Sequence, residues 1–235
     1  MKILDQKIFT KLAHAYHEQP ENVVIANAIS NVGVKDATLN KYVVNKHDFI
    51  FSNEVNTNEV TAQKKTGRCW MFAGLNMIRY RIAKELKMDN FELSETYLYF
   101  YDNMEKTNHF LQMVIDTKDK DLLSRDVESV FHEEPGDGGY YEFFIYLVKK
   151  YGLVPKTVMA DSFHANDSDA MFRMLEKPLK NIALQIRKEK DIAKIEELRE
   201  KGLQLAYTVF ANCLGEPVQE FTFKYYDKDL SLIHI

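Results

Sequence analysis

In the stretch TAQKKTGRCWMFAGLNMIR, residues 61–79, a cysteine stands directly before the only tryptophan of the chain. Gly67 permits an unusual backbone turn just ahead of what reads as a helix start. A thiol in a first helical turn lies near unsatisfied N–H groups and the positive end of the helix dipole, which favours the nucleophilic thiolate. Gln63, six positions upstream, carries a side-chain amide able to donate into the same space. With the Cys69 N–H it would make a two-donor oxyanion hole, a contribution on the order of 3–4 kcal/mol to a transition state. A lone cysteine on an apolar helix is ordinarily a small core residue, and Cys213 in VFANCLGEP is read that way. Cys69 differs in its neighbours.

Such chemistry also needs an imidazole to take and return a proton, and a third group to orient that imidazole. Four histidines follow Cys69: His109, His132, His164 and His234. His164 is followed by Asn166 and Asp167, whereas His109 and His132 fall on presumed helices with no orienting partner nearby.

The elements that must position these groups are mostly helical. Residues 1–18 place Leu4, Ile8, Leu12, Ala15 and Tyr16 on one face, a helix ended by Pro20, and 22–30 form a second short helix. From 31 to 60 the Asn-, Thr- and Val-rich chain reads as an extended arm with short strands such as HDFIF. Helix 68–87 carries two stripes, Trp70/Ala73/Met77/Tyr80 and Phe72/Leu75/Ile78/Ile82. Ser94 N-caps an aromatic-rich helix, and 121–133 is helical. The PGDGG cluster is a tight loop, followed by a helix from Tyr140 to Tyr151 with Gly152 at its C-cap. Residues 167–214 read as two long polar helices, broken or kinked near Lys177-Pro178, with the charge run 186–201 as a solvated face. EFTFKYYD is strand-like.

The block QKKTGRCWMFAGLN resembles the papain-like cysteine peptidases, more narrowly their bleomycin hydrolase/aminopeptidase C branch. LSETYLYFYD (93–102) and PGDGGYYEF (135–143) follow in the order of that family, and the resemblance reaches residue 229. It implies an α+β papain-like fold, of which this portion is the mostly α-helical, cysteine-bearing lobe plus a helical insertion. The ranges are N-terminal helices and arm 1–60, the cysteine-bearing lobe 61–160, the insertion and next strand 161–229, and a non-matching tail 230–235. The resemblance makes Cys69 the acyl-enzyme nucleophile and Gln63 an oxyanion donor, with Asp137, Gly138 and Gly139 lining a peptide groove. It places 161–168 on a surface connection, which sets His164 aside, and puts the catalytic histidine and asparagine on a later β-rich lobe. The expectation is therefore an N-terminal portion of an aminopeptidase, inactive without that pair. In secreted relatives half-cystines occupy the positions of Thr66 and Gly136, so no disulfide joins those loops here.

The implied activity is removal of N-terminal residues from peptide substrates, without a cofactor, by a protein whose full-length relatives assemble as hexamers. The other reading is a non-catalytic helical binding or scaffold module. A net charge of −4 without a basic stripe gives no reason to expect nucleic acid. No cluster has metal-ligand spacing. With no apolar run long enough for a membrane span, no leader pattern and two cysteines, the compartment read from sequence is the cytoplasm.

Overall fold

In the computed structural model of the chain, residues 3–55, 59–132, 135–229 and 231–234 are described. They fall into two compact units, Met1–Glu54 and Val55–Ile235.

The first unit is a helical hairpin. Asp5 caps α1 (Gln6–His17) by accepting from the Ile8 N–H at 2.9 Å. Pro20 does more than end α1: it opens α2 (Pro20–Ala37) at a position where its missing N–H has no partner to lose. The Asn22 side chain donates to the Tyr16 carbonyl at 2.9 Å and joins the two helices. α2 turns at Gly33, where φ is +79°, and α3 (Lys41–Val44) follows, capped by Asn40. The extended arm expected from residue 31 is thus helical as far as 44. HDFIF forms no strand among the described residues, since an isolated strand has no ladder to join. No side chain of α1–α3 is buried.

The second unit is a helical layer packed around α5 (Glu95–Asp116), whose Leu98, Tyr99, Phe100, Phe110, Leu111 and Val114 are buried. Against it lie α4 (Cys69–Glu85), α6 (Arg125–His132), α7 (Tyr141–Tyr151), α9 (Asp169–Lys188) and α10 (Ile192–Leu214), with the single turn α8 (Phe163–Asn166) beside α9 and α10. Ranges 61–160 and 161–229 share this one core. As expected, Ser94 caps α5, accepting from the Tyr97 N–H at 3.1 Å; its hydroxyl also donates to the Met159 carbonyl at 2.5 Å. Gly152, φ +75°, ends α7. Arg187 of α9 donates to the Thr117 and Lys120 carbonyls at 2.8 and 2.7 Å, satisfying the end of α5.

Three local readings are corrected. The inward face of α4 is Met71, Phe72, Leu75, Arg79 and Ala83, whereas Ala73, Met77 and Tyr80 are exposed. Arg79 hides that face in the sequence, yet its guanidinium donates to the Glu59 carbonyl at 2.8 Å. α9 runs through Pro178 because Met171, Leu175, Leu179, Ile182 and Ile186 bury a continuous stripe that outweighs one lost backbone bond. The break falls instead at 189–191. There Glu189 accepts from the Lys190 and Asp191 N–H groups, and Asp191 caps α10. The charge run therefore spans a turn.

The strand expected in EFTFKYYD is short: β1 (Lys224–Tyr226) pairs antiparallel with β2 (Leu232–His234), Tyr225 opposite Ile233. The side chain of His234 and residues 230 and 235 of the tail lie outside the described residues. No helix among the described residues is long and apolar enough to cross a membrane.

Candidate active site

The segment leading into Cys69 is held along its length. The Lys65 N–H donates to the Asn166 carbonyl at 3.0 Å, and Lys65 Nζ lies 3.5 Å from the Asp167 carboxylate. The Thr66 hydroxyl donates to the Gln63 carbonyl at 2.6 Å and accepts from Arg68 Nε at 3.0 Å. Arg68 is wholly buried, its guanidinium 5.2 Å from the Phe72 ring and 5.1 Å from the Tyr99 ring. Its Nη1 stands 3.7 Å from Asp161, which also accepts from the Thr96 hydroxyl at 2.7 Å. Burial pushes the Asp161 carboxyl up, but Thr96, Lys156 and Arg68 together hold it below the usual range. The 161–168 stretch is therefore more than a surface connection, since it anchors residues 65–68.

The PGDGG loop docks on the same turn. The Gly67 N–H donates to Asp137 Oδ2 at 2.8 Å, and the Gly138 N–H donates back to the Gly67 carbonyl at 3.1 Å. Asp137 also accepts from the Ser168 hydroxyl at 2.7 Å and from the Tyr99 hydroxyl. From the opposite side Lys106 Nζ donates to the Gly136 and Gly138 carbonyls at 2.8 and 2.6 Å and to Asp102 at 2.7 Å. The approach admits no side chains: a Cβ on Gly67 would lie 2.7 Å from that of Asp137, and one on Gly139 would lie 2.5 Å from the Trp70 ring. Trp70 is thus the wall on which the loop rests. The two loops that Thr66 and Gly136 leave without a disulfide are joined by hydrogen bonds.

Cys69 is exposed at the first position of α4. No side chain caps this helix, and the Arg68 carbonyl receives the Met71 and Phe72 N–H groups at 2.9 and 3.0 Å. Among the described residues neither the Cys69 nor the Trp70 N–H has a hydrogen-bond partner. Gln63 is partly buried, its Oε1 enclosed without a partner among the described residues. Gly138 commits both its N–H and its C=O, while neither peptide group of Gly139 has a partner among the described residues. Beyond the loop a groove of about 660 Å³ runs between α5 and α7, lined by Asp102, His109, Gly139, Tyr140, Phe143 and Tyr146. Burial, opposed by Lys106, pushes the Asp102 carboxyl up to about 6.

Cys213 is buried, and burial raises its thiol. His164 Nδ1 lies 3.3 Å from the Asp167 carbonyl. His109 lines the groove and His132 is exposed on α6. Among the described residues no histidine hydrogen-bonds Cys69, and no set of three acidic, His or Cys side chains is grouped for a metal ion.

The model of the Peptidase C1-like family matches residues 3–234. The chain belongs to the Peptidase C1-like family. The match runs past Asp229, the last residue of the resembling blocks. Among curated relatives, aminopeptidase E of Lactobacillus helveticus is 36% identical over 222 residues, covering 93% of this chain and 51% of its own length. Aminopeptidase G of Lactobacillus delbrueckii subsp. lactis is 37% identical over 217 residues, covering 91% and 50%. The crystal structure of PepW from Lactobacillus rhamnosis HN001 superposes with a TM-score of 0.94 at 32% identity, over 99% of this chain and 53% of that one. The chain thus spans about half the length of these relatives. The fold is papain-like, and this part of it is predominantly helical.

Several residues that build this Peptidase C1-like site escape a reading of the sequence. Tyr99, Lys106, Ser168, Arg68 and Asp161 reach it from three separate segments. Only Arg68, a charged residue immediately before the helix, carried a local signal.

Proposed function

We propose that the chain is the cysteine-bearing part of an aminopeptidase that cleaves N-terminal residues from peptides through an acyl-enzyme on Cys69. The observation that carries the reading is an exposed thiol on an uncapped helix start, beside a loop at Gly139, with the Cys69 N–H and the Gly139 N–H and C=O all unpartnered among the described residues. The Cys69 thiolate attacks the carbonyl carbon of the scissile peptide bond. The oxygen that becomes negative is received by the Cys69 N–H and the Gln63 side-chain amide. Gly139 pairs with the backbone of the bound peptide in the manner of an added strand, and Gly138 shapes the loop. The names of the relatives support the substrate class.

The proton on the leaving amine comes from an imidazole, and among the described side chains none is placed to give it: His164 lies against the Asp167 carbonyl, and His109 and His132 belong to α5 and α6. The chain alone is then inactive, and a partner lobe completes it; a cytoplasmic setting and a homo-oligomer of the complete enzyme belong to the same reading. The test is alkylation of Cys69 by iodoacetamide across pH, for the chain alone and after mixing with the C-terminal half of a full-length aminopeptidase C. The chain alone alkylates slowly at low pH, and the mixture alkylates rapidly there. A mixture that alkylates no faster at low pH than the chain alone overturns the reading.

A further inference from the structure

We propose that Asp137 is a positioning residue: through Gly67 it fixes the Cys69 N–H relative to the Gly138–Gly139 backbone, instead of meeting the peptide itself. The inference rests on the reading of Cys69 as nucleophile and deepens it.

An ionised carboxylate has about four lone-pair sites, and Asp137 receives three donors from three separate segments: Gly67, Tyr99 and Ser168. Two of those donors have no recourse to water, because Tyr99 is 1% and Ser168 3% exposed. If the Asp137 carboxylate turned to a ligand, both hydroxyls would lose their acceptor in the interior, so these donors hold it against the Gly67 turn even though the residue itself is exposed. The third donor matters for the chemistry. Gly67 gives its N–H to Asp137 and takes the Gly138 N–H on its carbonyl, which closes a ring between segments 70 residues apart. The Cys69 N–H is two residues from one side of this ring, and Gly139 is the next residue on the other. The donor for the developing oxyanion and the backbone that aligns the peptide therefore share one rigid support. A peptide laid along Gly139 is registered against the Cys69 N–H without any contact from Asp137.

The test is amide NMR and hydrogen exchange on the chain carrying Asp137→Asn, with Ser168→Ala and Tyr99→Phe as companions. Asparagine keeps the size but has only one acceptor oxygen. The Gly67 amide is expected to exchange about tenfold or more faster, and the Gly67 and Cys69 amide resonances both shift, while α10 amides keep their protection. Ser168→Ala and Tyr99→Phe retain the Gly67 resonance but accelerate its exchange by a smaller factor. A general loss of stability would accelerate all amides alike. If Asp137→Asn folds and leaves Gly67 unchanged, or moves Gly67 without moving Cys69, the proposal is wrong. Should that variant not fold, an unaltered Gly67 exchange rate in both companions overturns it equally. Failure of the Cys69 reading shows separately, as slow low-pH alkylation of the completed wild-type enzyme, and leaves the Gly67 result standing.

Discussion

Two helix starts in this molecule are built in opposite ways. α5 begins at Ser94, a buried hydroxyl that caps the Tyr97 N–H and is itself anchored on the Met159 carbonyl. α4 begins at Arg68 with no side-chain cap, leaving the Cys69 and Trp70 N–H groups unpartnered among the described residues. Both starts are firmly held. The difference is in what holds each start: at α5 a side-chain hydroxyl takes the Tyr97 N–H, while at α4 no side chain reaches the first turn and the holding contacts fall on residues 65–68. A capped start stabilises the fold, whereas an open one is available to a ligand.

Substitutions can break this contrast, and the largest effects belong to α4. Cys69→Ala in the completed enzyme is expected to lower kcat/KM by about 10⁴-fold or more with little change in stability, read by peptide hydrolysis and thermal unfolding together. Gln63→Ala should cost about 10²–10³-fold in kcat; an unchanged kcat would remove Gln63 from the oxyanion hole. Gly67→Ala drives a Cβ into Asp137 and should destabilise by about 1–3 kcal/mol while also slowing Cys69 chemistry, measured by denaturant titration and alkylation rate. Ser94→Ala should cost about 1–2 kcal/mol and leave the Cys69 alkylation profile untouched, the outcome that most sharpens the distinction.

The smallest effect is a pH dependence. Burial lifts Asp102 from 3.8 to about 6 in the folded chain, so the folded state holds this proton more tightly than the unfolded state does. Its contribution favours folding at low pH and is lost as pH rises from about 4 through 6. Asp102→Asn cannot titrate, so the stability gap between wild type and variant should change across that window and stay constant above about 7. A gap that is flat between pH 4 and 6 would contradict the buried assignment.

What could be read from the sequence was what is local. Ser94 and the Gln63–Cys69 spacing each lie within one short stretch, and both the cap and the helix start stand where the residues indicated. The proline rule failed at Pro178 because packing along α9 outweighed a local preference. The strand assigned to HDFIF failed because propensity supplies no partner. Asp137 could be located but its bonds could not, since nothing beside Gly67, Tyr99 or Ser168 points to a partner 70, 38 or 31 residues away. For the same reason nothing in the residues around Lys106 marks it as the donor to the Gly136 and Gly138 carbonyls.

The ring around Asp137 also bears on how the chain is made. Its donors lie 70, 38 and 31 residues away, and the last of them, Ser168, is synthesised a hundred residues after Arg68. During translation the turn before Cys69 emerges early and must wait, unfastened, until the start of α9 leaves the ribosome. The site is then completed by a closure over large sequence separations, a slow kind of folding step. A nascent chain halted before residue 168 would carry its cysteine on an unlocked turn.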